Sequence, residues 1–324
     1  MSNRWLFKLR IAIIGVGSIG GVILGALADT DADIVCVSKG RSASNLSDMG
    51  LVLHTPEGSI EVVPSERYLV VDSESGPLSE QIRGTCDIAI ICGKTIDNPT
   101  LTEIASKVLT PEGCALTIQN GLGNAEALSH RIGRNRVFVG SITHAAWRNN
   151  EGVVHWVGRG GIDFGTLDGS VNIQAENLLD MLNDADLNAV ISDDIQQIIW
   201  KKLLINVAIN PVCAIAGVRN GALLEINSLW QQSMQAMREA AIVARASGVD
   251  LGDIELETYL RDVVIISPDN RCSMLQDIMA GRPTEIDALC GAVVLRGESE
   301  GIPTPCNAIL HGLVKGIENS FKFD

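Results

Sequence analysis

The chain has 324 residues, more than one ordinary hydrophobic core accommodates, so the sequence predicts two domains. Hydrophobic residues make up 46% of the composition and aromatic residues only 4%, which favours an α/β or helical protein over a β-sandwich. The formal net charge of −14 argues against nucleic acid and anionic membrane surfaces as partners. It does not exclude an anionic substrate, because a local basic pocket can outweigh the overall charge.

The eight cysteines form no C-x-x-C pair, and several lie inside apolar runs. Buried free thiols in a reducing compartment are therefore expected, without a metal site. The N-terminus is basic, as in a signal peptide, but glycines soon interrupt the apolar run Ile11–Ile14 and no cleavage motif follows. The sequence contains no uninterrupted run of about eighteen apolar residues, the length that would predict a membrane span. We therefore expect a cytoplasmic protein.

A predicted strand, a glycine-rich loop and a predicted helix follow one another near the N-terminus. The strand is Leu9–Ile14, the loop Gly15–Gly20 has the form G-x-G-x-x-G, and the helix continues through Val22–Ala28. In a dinucleotide-binding site the first glycine makes a tight turn, the second admits a pyrophosphate and the third lets helix pack on strand. The candidate cofactor-binding residues of this loop are Gly15, Gly17, Ser18, Ile19 and Gly20.

Two cations follow the second predicted strand, Ala32–Val37. A site for NAD would place Asp or Glu there, to bind the ribose 2′-hydroxyl. The sequence has Lys39 and Arg41 instead, which would attract a 2′-phosphate. The pattern favours NADP(H), and the alternative is a pair of solvated loop cations.

Strands and helices then alternate as far as residue 192, which predicts a doubly wound, largely parallel sheet. The further predicted strands are Cys86–Cys92, Cys114–Gln119, Val137–Ile142 and Ala189–Ser192. The predicted helices are Thr100–Val108, opened by a capping box, a helix from Ala125, and Gln174–Leu182. Val153–Val157 and Ile162–Phe164 are predicted to pair as a hairpin through Gly158–Gly161.

Ligands of doubly wound sheets bind at the carboxyl ends of the strands. The glycine loop, Lys39, Lys94 and Asn120 all follow predicted strands, so we expect them to converge. Each has a plainer interpretation: Lys94 as a solvated loop lysine, and Asn120-Gly121 as an ordinary turn.

From Ile195 onward the pattern is helical, which predicts domains at 1–192 and 193–324. The predicted helices after the first are Leu229–Ala246, Ile254–Ile266, Cys272–Met279, Thr284–Glu300 and Pro305–Ile317. The first helix is apolar almost all the way round, yet Lys202, Asn206 and Asn210 recur every four residues on one face. Buried polar groups need partners, which are either other protein groups or a ligand.

Two further polar residues have simple local interpretations. Glu285 falls in the first turn of its predicted helix, where any carboxylate gains from the helix dipole. Ser273 falls at a helix start. Neither residue alone predicts a site.

Together, these motifs resemble the ketopantoate reductase (2-dehydropantoate 2-reductase) family over nearly the whole chain. The matching motifs, in family order, are Gly15-x-Gly17-x-x-Gly20, Asn120-Gly121, Trp200-x-Lys202-Leu203-x-x-Asn206-x-x-x-Asn210-Pro211, Ser273-Met274-Leu275-Gln276-Asp277 and Thr284-Glu285-Ile286-Asp287. The resemblance implies a Rossmann domain followed by a helical domain, with the active site in the cleft between them.

The resemblance also implies roles for single residues. Lys202 matches the general acid, and Glu285 matches the acid that binds the substrate hydroxyl. Asn206, Asn210 and Ser273 match substrate-binding positions, and Asn270 stands where the family often has a further polar contact. Asn120 matches an asparagine that meets cofactor and lysine, and Lys94 resembles a cofactor-side lysine. Lys39 stands where the family more often has arginine, and Cys272 replaces a more usual small polar residue, so these two positions bear on fine substrate selectivity.

The expected function is therefore NADPH-dependent reduction of a 2-oxo acid, namely 2-dehydropantoate to D-pantoate in pantothenate biosynthesis. The enzymatic alternatives are a related dehydrogenase acting on another 2-oxo acid, on a 3-hydroxy acid, or on an imine. The non-enzymatic alternative is an NADP(H)-binding sensor, which would not need both Lys202 and Glu285. The sequence leaves the oligomeric state open, with a homodimer as the arrangement to test.

Overall fold

The structure is a computed structural model that describes residues 8–170 and 172–321. The chain divides into two compact units, each with its own hydrophobic core. The first comprises Met1–Gln119 and Asn124–Ile195, and the second comprises Asn120–Gly123 and Gln196–Asp324. The short segment 120–123 thus groups with the C-terminal unit, although it follows a strand of the N-terminal one.

The first unit is built around an eight-stranded sheet whose neighbours pair in parallel, except for one antiparallel pair. In spatial order its strands are β12 (Ala189–Ile191), β11 (Ile162–Thr166), β8 (Val137–Ile142), β7 (Leu109–Thr117), β6 (Cys86–Ile91), β1 (Arg10–Ile14), β2 (Asp33–Ser38) and β5 (Tyr68–Asp72). Strands β8 and β11 form the antiparallel pair. The strand order changes direction at β1, which lies between β2 and β6. Such a switch point is where a doubly wound sheet binds its ligand.

The helices of the first unit are α1 (Ser18–Ala28), α2 (Arg41–Met49), α3 (Asn98–Val108), α4 (Asn124–Ile132) and α5 (Ile173–Asp184). Helix α2 is not among the sequence predictions. The capping box predicted at Thr100 is wrong, because α3 begins at Asn98. The hydroxyl of Thr102 donates to the carbonyl of Asn98, and Glu103 pairs with Lys107. Pro99 explains the early start, since proline suits the first turn of a helix.

A second sheet of four strands also belongs to the first unit. Its spatial order is β4 (Ile60–Val63), β3 (Leu51–His54), β10 (Val154–Gly158) and β9 (Ala145–Arg148). The predicted hairpin between β10 and β11 is therefore wrong, since the two strands lie in different sheets. The Gly158–Gly161 segment is a crossover. A Cβ on Gly160 would lie 2.4 Å from the carbonyl carbon of Thr143, so its glycine serves a close backbone approach.

The second sheet packs tightly on helix α1. A Cβ on Gly21 would lie 2.7 Å from a methyl of Val154, and one on Gly25 would lie 2.6 Å from a methyl of Leu53. The two glycines are four residues apart and so share one face of the helix. The second sheet is consequently held against the helix that begins at the glycine loop.

The regular secondary structure of the second unit is entirely helical among its described residues. Its helices are α6 (Ile195–Ala216), α7 (Ala222–Glu225), α8 (Asn227–Ala246), α9 (Leu256–Ile266), α10 (Ser273–Met279), α11 (Ala292–Glu300) and α12 (Pro305–Ser320). The predicted helix Thr284–Glu300 differs in its first part, since Asp287–Gly291 is a π-helical turn. Glu285 therefore precedes the regular helix, and its carbonyl accepts from the amides of Ala288 and Leu289.

Helix α6 forms the centre of the second core. It alone among the helices of residues 8–170 and 172–321 is long and apolar enough to cross a membrane by length and composition. However, 67% of its apolar window is buried inside the protein, and Trp200, Leu204 and Val207 are among the most deeply buried side chains of that core. These features are typical of a core helix.

Candidate active site

The three glycines of the loop differ in what surrounds the position that a Cβ atom would occupy. Gly15 has φ +94°, and a Cβ there would lie 2.4 Å from the amide nitrogen of Gly93. A Cβ on Gly20 would lie 2.3 Å from the carbonyl oxygen of Gly15. Gly17, in contrast, has no heavy atom within 4 Å of its ideal Cβ position other than those of the glycine itself and its two neighbours in the chain. The fold thus requires Gly15 and Gly20, whereas Gly17 leaves open the space that a pyrophosphate needs.

The start of α1 is suited to an anion. Ser18 and Ile19, its first two residues, are partly buried, and no side chain caps the helix at Gly17. The first amide groups of a helix lack intrahelical partners and carry partial positive charge. A phosphate is a fitting ligand for them.

The predicted cations follow β2 and β6, two parallel strands that flank β1 in the sheet. The Lys39 ammonium pairs with the carboxylate of Asp97 at 2.9 Å, which joins the end of β2 to the loop after β6. Arg41 is the exposed first residue of α2. Lys94 is half-buried and follows Gly93, the residue against which Gly15 packs. Within the first unit, the glycine loop, Lys39 and Lys94 follow β1, β2 and β6, which are neighbours in the sheet.

Gln119, which was not among the predicted site residues, stabilises the segment that follows β6. Its amide donates to the carbonyl of Gly93 at 2.7 Å and to the side chain of Asn98 at 2.8 Å. The sequence signal that could have identified Gln119 is its position next to Asn120, a predicted site residue. The neighbouring residues serve different units, since Asn120 belongs to the second one.

The second unit carries the polar stripe of α6. Asn210 is buried and Asn206 is half-buried, yet neither side-chain amide makes a hydrogen bond to any residue that the structure describes. The thiol of Cys272 lies 3.6 Å from the carbonyl oxygen of Asn210, which brings the start of α10 beside the stripe. Amides in this state are suited to binding a polar ligand.

Lys202 is the charged member of the stripe. Part of its side chain is accessible to solvent, but protein atoms surround the ammonium so closely that desolvation lowers its pKa to about 8. The carboxylate of Glu285 acts in the opposite direction and keeps the pKa from falling further. Asn120 donates to the Oε2 atom of Glu285 at 2.9 Å. Three predicted site residues are thus assembled within one unit.

The backbone beside Asn120 is fixed by close packing. Gly121 has φ +83°, and a Cβ there would lie 2.2 Å from the carbonyl oxygen of Ala288. That same oxygen accepts the amide of Leu122 at 3.1 Å. The ordinary-turn interpretation of Asn120-Gly121 is therefore insufficient, since glycine here permits a backbone contact with the π-helical turn.

The turn that carries Glu285 is anchored to α12. Glu318 accepts the backbone amide of Thr284 at 2.7 Å and its hydroxyl at 2.6 Å. Asp287 pairs with Lys315 at 2.9 Å and with His311 at 2.7 Å. The sequence motif shows the turn but not these partners, which lie at least 24 residues away.

The remaining predicted site residues are more exposed. Ser273 is the exposed first residue of α10, directly after the buried Cys272. Asn270 lies in the exposed turn before α10, where its carbonyl accepts the amide of Asn220 at 3.0 Å. Within residues 8–170 and 172–321, no group of three His, Cys, Asp or Glu side chains could hold a metal ion. All eight cysteines are free thiols, and seven of them are buried.

The glycine loop at the switch point of the sheet makes the first unit a Rossmann-type domain, followed by a helical unit. Comparison with known proteins narrows this class. The family model described as ketopantoate reductase PanE/ApbA matches residues 11–169, and that of the C-terminal part of the same family matches residues 194–318. The chain belongs to the ketopantoate reductase family, and it is an NAD(P)-dependent oxidoreductase.

Individual relatives agree with the family. A 2-dehydropantoate 2-reductase of Archaeoglobus fulgidus is 29% identical over 310 residues, which cover 96% of this chain and 98% of the relative. A ketopantoate reductase structure from Ralstonia eutropha superposes with a TM-score of 0.86 at 27% identity, covering 97% of this chain and all of that one. A D-mandelate dehydrogenase in complex with NADH shares the fold, with a TM-score of 0.87 at 21% identity over 97% of this chain and 99% of that one.

Proposed function

We propose that this chain reduces a 2-oxo acid to a 2-hydroxy acid with NADPH, and that its substrate is 2-dehydropantoate. The observation that carries the proposal is the group of Lys202, Glu285 and Asn120, in which a desolvated lysine faces a carboxylate that an amide holds in place. The names of the full-length relatives support the same substrate.

The first unit fits a dinucleotide phosphate. The open space at Gly17 and the uncapped start of α1 suit a pyrophosphate. Arg41 and Lys39 favour a 2′-phosphate, and Lys94 is proposed to contact the cofactor from the loop after β6. The carboxylate of Asp97 lies against Lys39 and offsets part of its charge, so Arg41 is proposed as the main 2′-phosphate ligand.

Bound NADPH supplies the hydride that reduces the keto carbon of the substrate. Lys202 stabilises the negative charge that develops on the carbonyl oxygen and then donates a proton to it. A pKa of about 8 suits this task, since the ammonium is mostly protonated at neutral pH and yet gives up its proton readily.

The other polar groups of the second unit orient the substrate. Glu285 accepts a hydrogen bond from the substrate hydroxyl, and Asn120 holds the carboxylate of Glu285 in place. Asn206, Asn210 and Ser273 supply donors for the remaining oxygen atoms. Asn270 is proposed as a peripheral contact, since its turn is exposed.

The test is to follow NADPH oxidation with 2-dehydropantoate and with other branched and unbranched 2-oxo acids, using NADH as the comparison. Replacement of Lys202 by Ala should lower kcat at least about a hundredfold, the lower end for loss of a general acid. Lys201→Ala is the matched control, because its ammonium bonds to Gln197 one turn away. Near-full turnover of the Lys202 variant would remove this lysine from the mechanism.

The alternatives have distinct results in the same assay. Faster turnover of another 2-oxo acid, of a 3-hydroxy acid in the reverse direction, or of an imine would reassign the substrate. Tight NADPH binding without turnover of any of these compounds would identify a sensor. We further propose a cytoplasmic enzyme without nucleic-acid or membrane partners, and light scattering of the purified chain tests for a homodimer.

A further inference from the structure

Arg148 connects two separate segments of the first unit. It is the last residue of β9, and its Nη1 atom donates to the carbonyl of Val16 in the glycine loop at 3.0 Å. Its Nη2 atom donates to the hydroxyl of Ser42 in the first turn of α2 at 2.8 Å. One planar guanidinium therefore joins the glycine loop to the residue that follows Arg41.

The first of these bonds fixes the orientation of a loop peptide. The carbonyl of the Val16–Gly17 peptide accepts from Arg148, and the amide of Gly17 donates to the carbonyl of Gly15 at 3.0 Å. The peptide is thus held on both sides. Without Arg148, rotation of this peptide could direct a carbonyl oxygen at the pyrophosphate, where like charges repel.

The second bond fixes the start of α2. Val16, Gly17, Arg41, Ser42 and Arg148 line one cavity of about 440 Å³ in the first unit. The packing of the second sheet on α1 fixes the position of β9, from which Arg148 extends. The guanidinium therefore sets the spacing between the glycine loop and Arg41 through rigid elements.

We propose that Arg148 is a positioning residue for the cofactor, holding the pyrophosphate-binding loop and the 2′-phosphate-binding start of α2 in register. The proposal rests on the assignment of NADP(H) above. The proposal predicts that substitution of Arg148 lowers the affinity for NADPH more than the affinity for NADH. Of the two elements that Arg148 joins, NADH uses only the glycine loop, whereas NADPH uses both the loop and the start of α2 with Arg41.

The experiment measures dissociation constants of NADPH, NADH and 2′,5′-ADP by calorimetry, together with kcat and KM. Arg148→Gln should weaken NADPH about tenfold or more and NADH less, while kcat at saturating NADPH stays within about twofold. Ser42→Ala removes the second bond alone and should weaken NADPH and 2′,5′-ADP without changing NADH. Arg148→Lys should fall between, because an ammonium cannot reproduce the two-pronged geometry.

Arg159→Gln is the matched control, since this arginine follows β10 and bonds to Glu57 and Asp186, away from the loop. The inference is overturned if Arg148→Gln and Ser42→Ala bind NADPH within twofold of the wild type, or if the control weakens it equally. If Arg148→Gln does not fold, Ser42→Ala decides alone. Failure of the wild type to bind either dinucleotide would overturn the proposed function as well, whereas tight binding with unaffected variants would overturn only this inference.

Discussion

Replacing Lys202 by Met should stabilise the fold at neutral pH, although it removes the proposed general acid. The pKa of Lys202 is lowered from 10.5 to about 8 by desolvation, so the charged form is less favourable in the folded state than in the unfolded chain. Methionine keeps a long, flexible side chain of similar shape without the charge.

The magnitude follows from linkage. A shift from 10.5 to about 8 corresponds to about 3 kcal/mol at pH 7, where the full cost applies. This is an upper bound, because part of the side chain is accessible to solvent. Between pH 8 and 10.5 the folded protein binds fewer protons than the unfolded chain, so the stability of the wild type rises with pH. The advantage of Lys202→Met should therefore shrink to about 1 kcal/mol at pH 10.

The assay is urea unfolding of wild type and variant at pH 7 and pH 10, followed by tryptophan fluorescence, to which the buried Trp200 on the same helix contributes. The urea concentration at the unfolding midpoint should differ between the two proteins, whereas the dependence of the unfolding free energy on urea concentration should be the same. Lys201→Met is the control and should change stability by less than about 0.5 kcal/mol. An equal difference at both pH values, or a less stable Lys202→Met at pH 7, would refute the reasoning.

Three further predictions concern the same sites. Glu285→Gln removes the charge that raises the pKa of Lys202, so the alkaline limb of kcat/KM, near pH 8 in the wild type, should move to lower pH; an unmoved limb would contradict this coupling. Gly17→Ala should leave the midpoint of thermal unfolding unchanged. It should weaken dinucleotide binding at least about tenfold, since the added methyl group occupies the open space. Gly20→Ala, in contrast, should lower the midpoint of thermal unfolding even without cofactor. Asp97→Asn frees Lys39 from its ion pair, so the ratio of kcat/KM with NADPH to that with NADH should rise severalfold, and a fall would show that the pair positions Lys39 for the cofactor.

The parts of the molecule that follow from local sequence were predictable. The glycine loop lies between a strand and a helix, and the polar stripe of α6 repeats every four residues, so both patterns are visible within twenty residues. The structure places them as predicted, on β1 and α1 and along α6. The boundaries differ by a few residues, as expected where helix ends depend on single hydrogen bonds.

Strand pairing was less accessible, because it depends on contacts that are distant in the chain. Apolar and polar residues alternate along the β10 and β11 sequences, as in strands, and glycines join the two. This pattern favoured a hairpin. In the structure β10 pairs with β3, about a hundred residues earlier. Gly160 permits a close backbone approach to Thr143, which no local pattern reveals. Arg148 was missed for the same reason, since its partner Val16 is 132 positions away.

The proposed site is found where the sequence departs from the local rules of stability. A lysine and two asparagines lie on a helix that forms the centre of a core, and Pro211 follows Asn210 inside that helix, where it removes a backbone donor. Core packing alone gives no reason for these residues, because apolar side chains would fill the same positions at lower cost. The Glu285 carboxylate only partly offsets the desolvation of Lys202. A helix selected for stability alone would lack this stripe, so its presence is itself an argument for a ligand on that face.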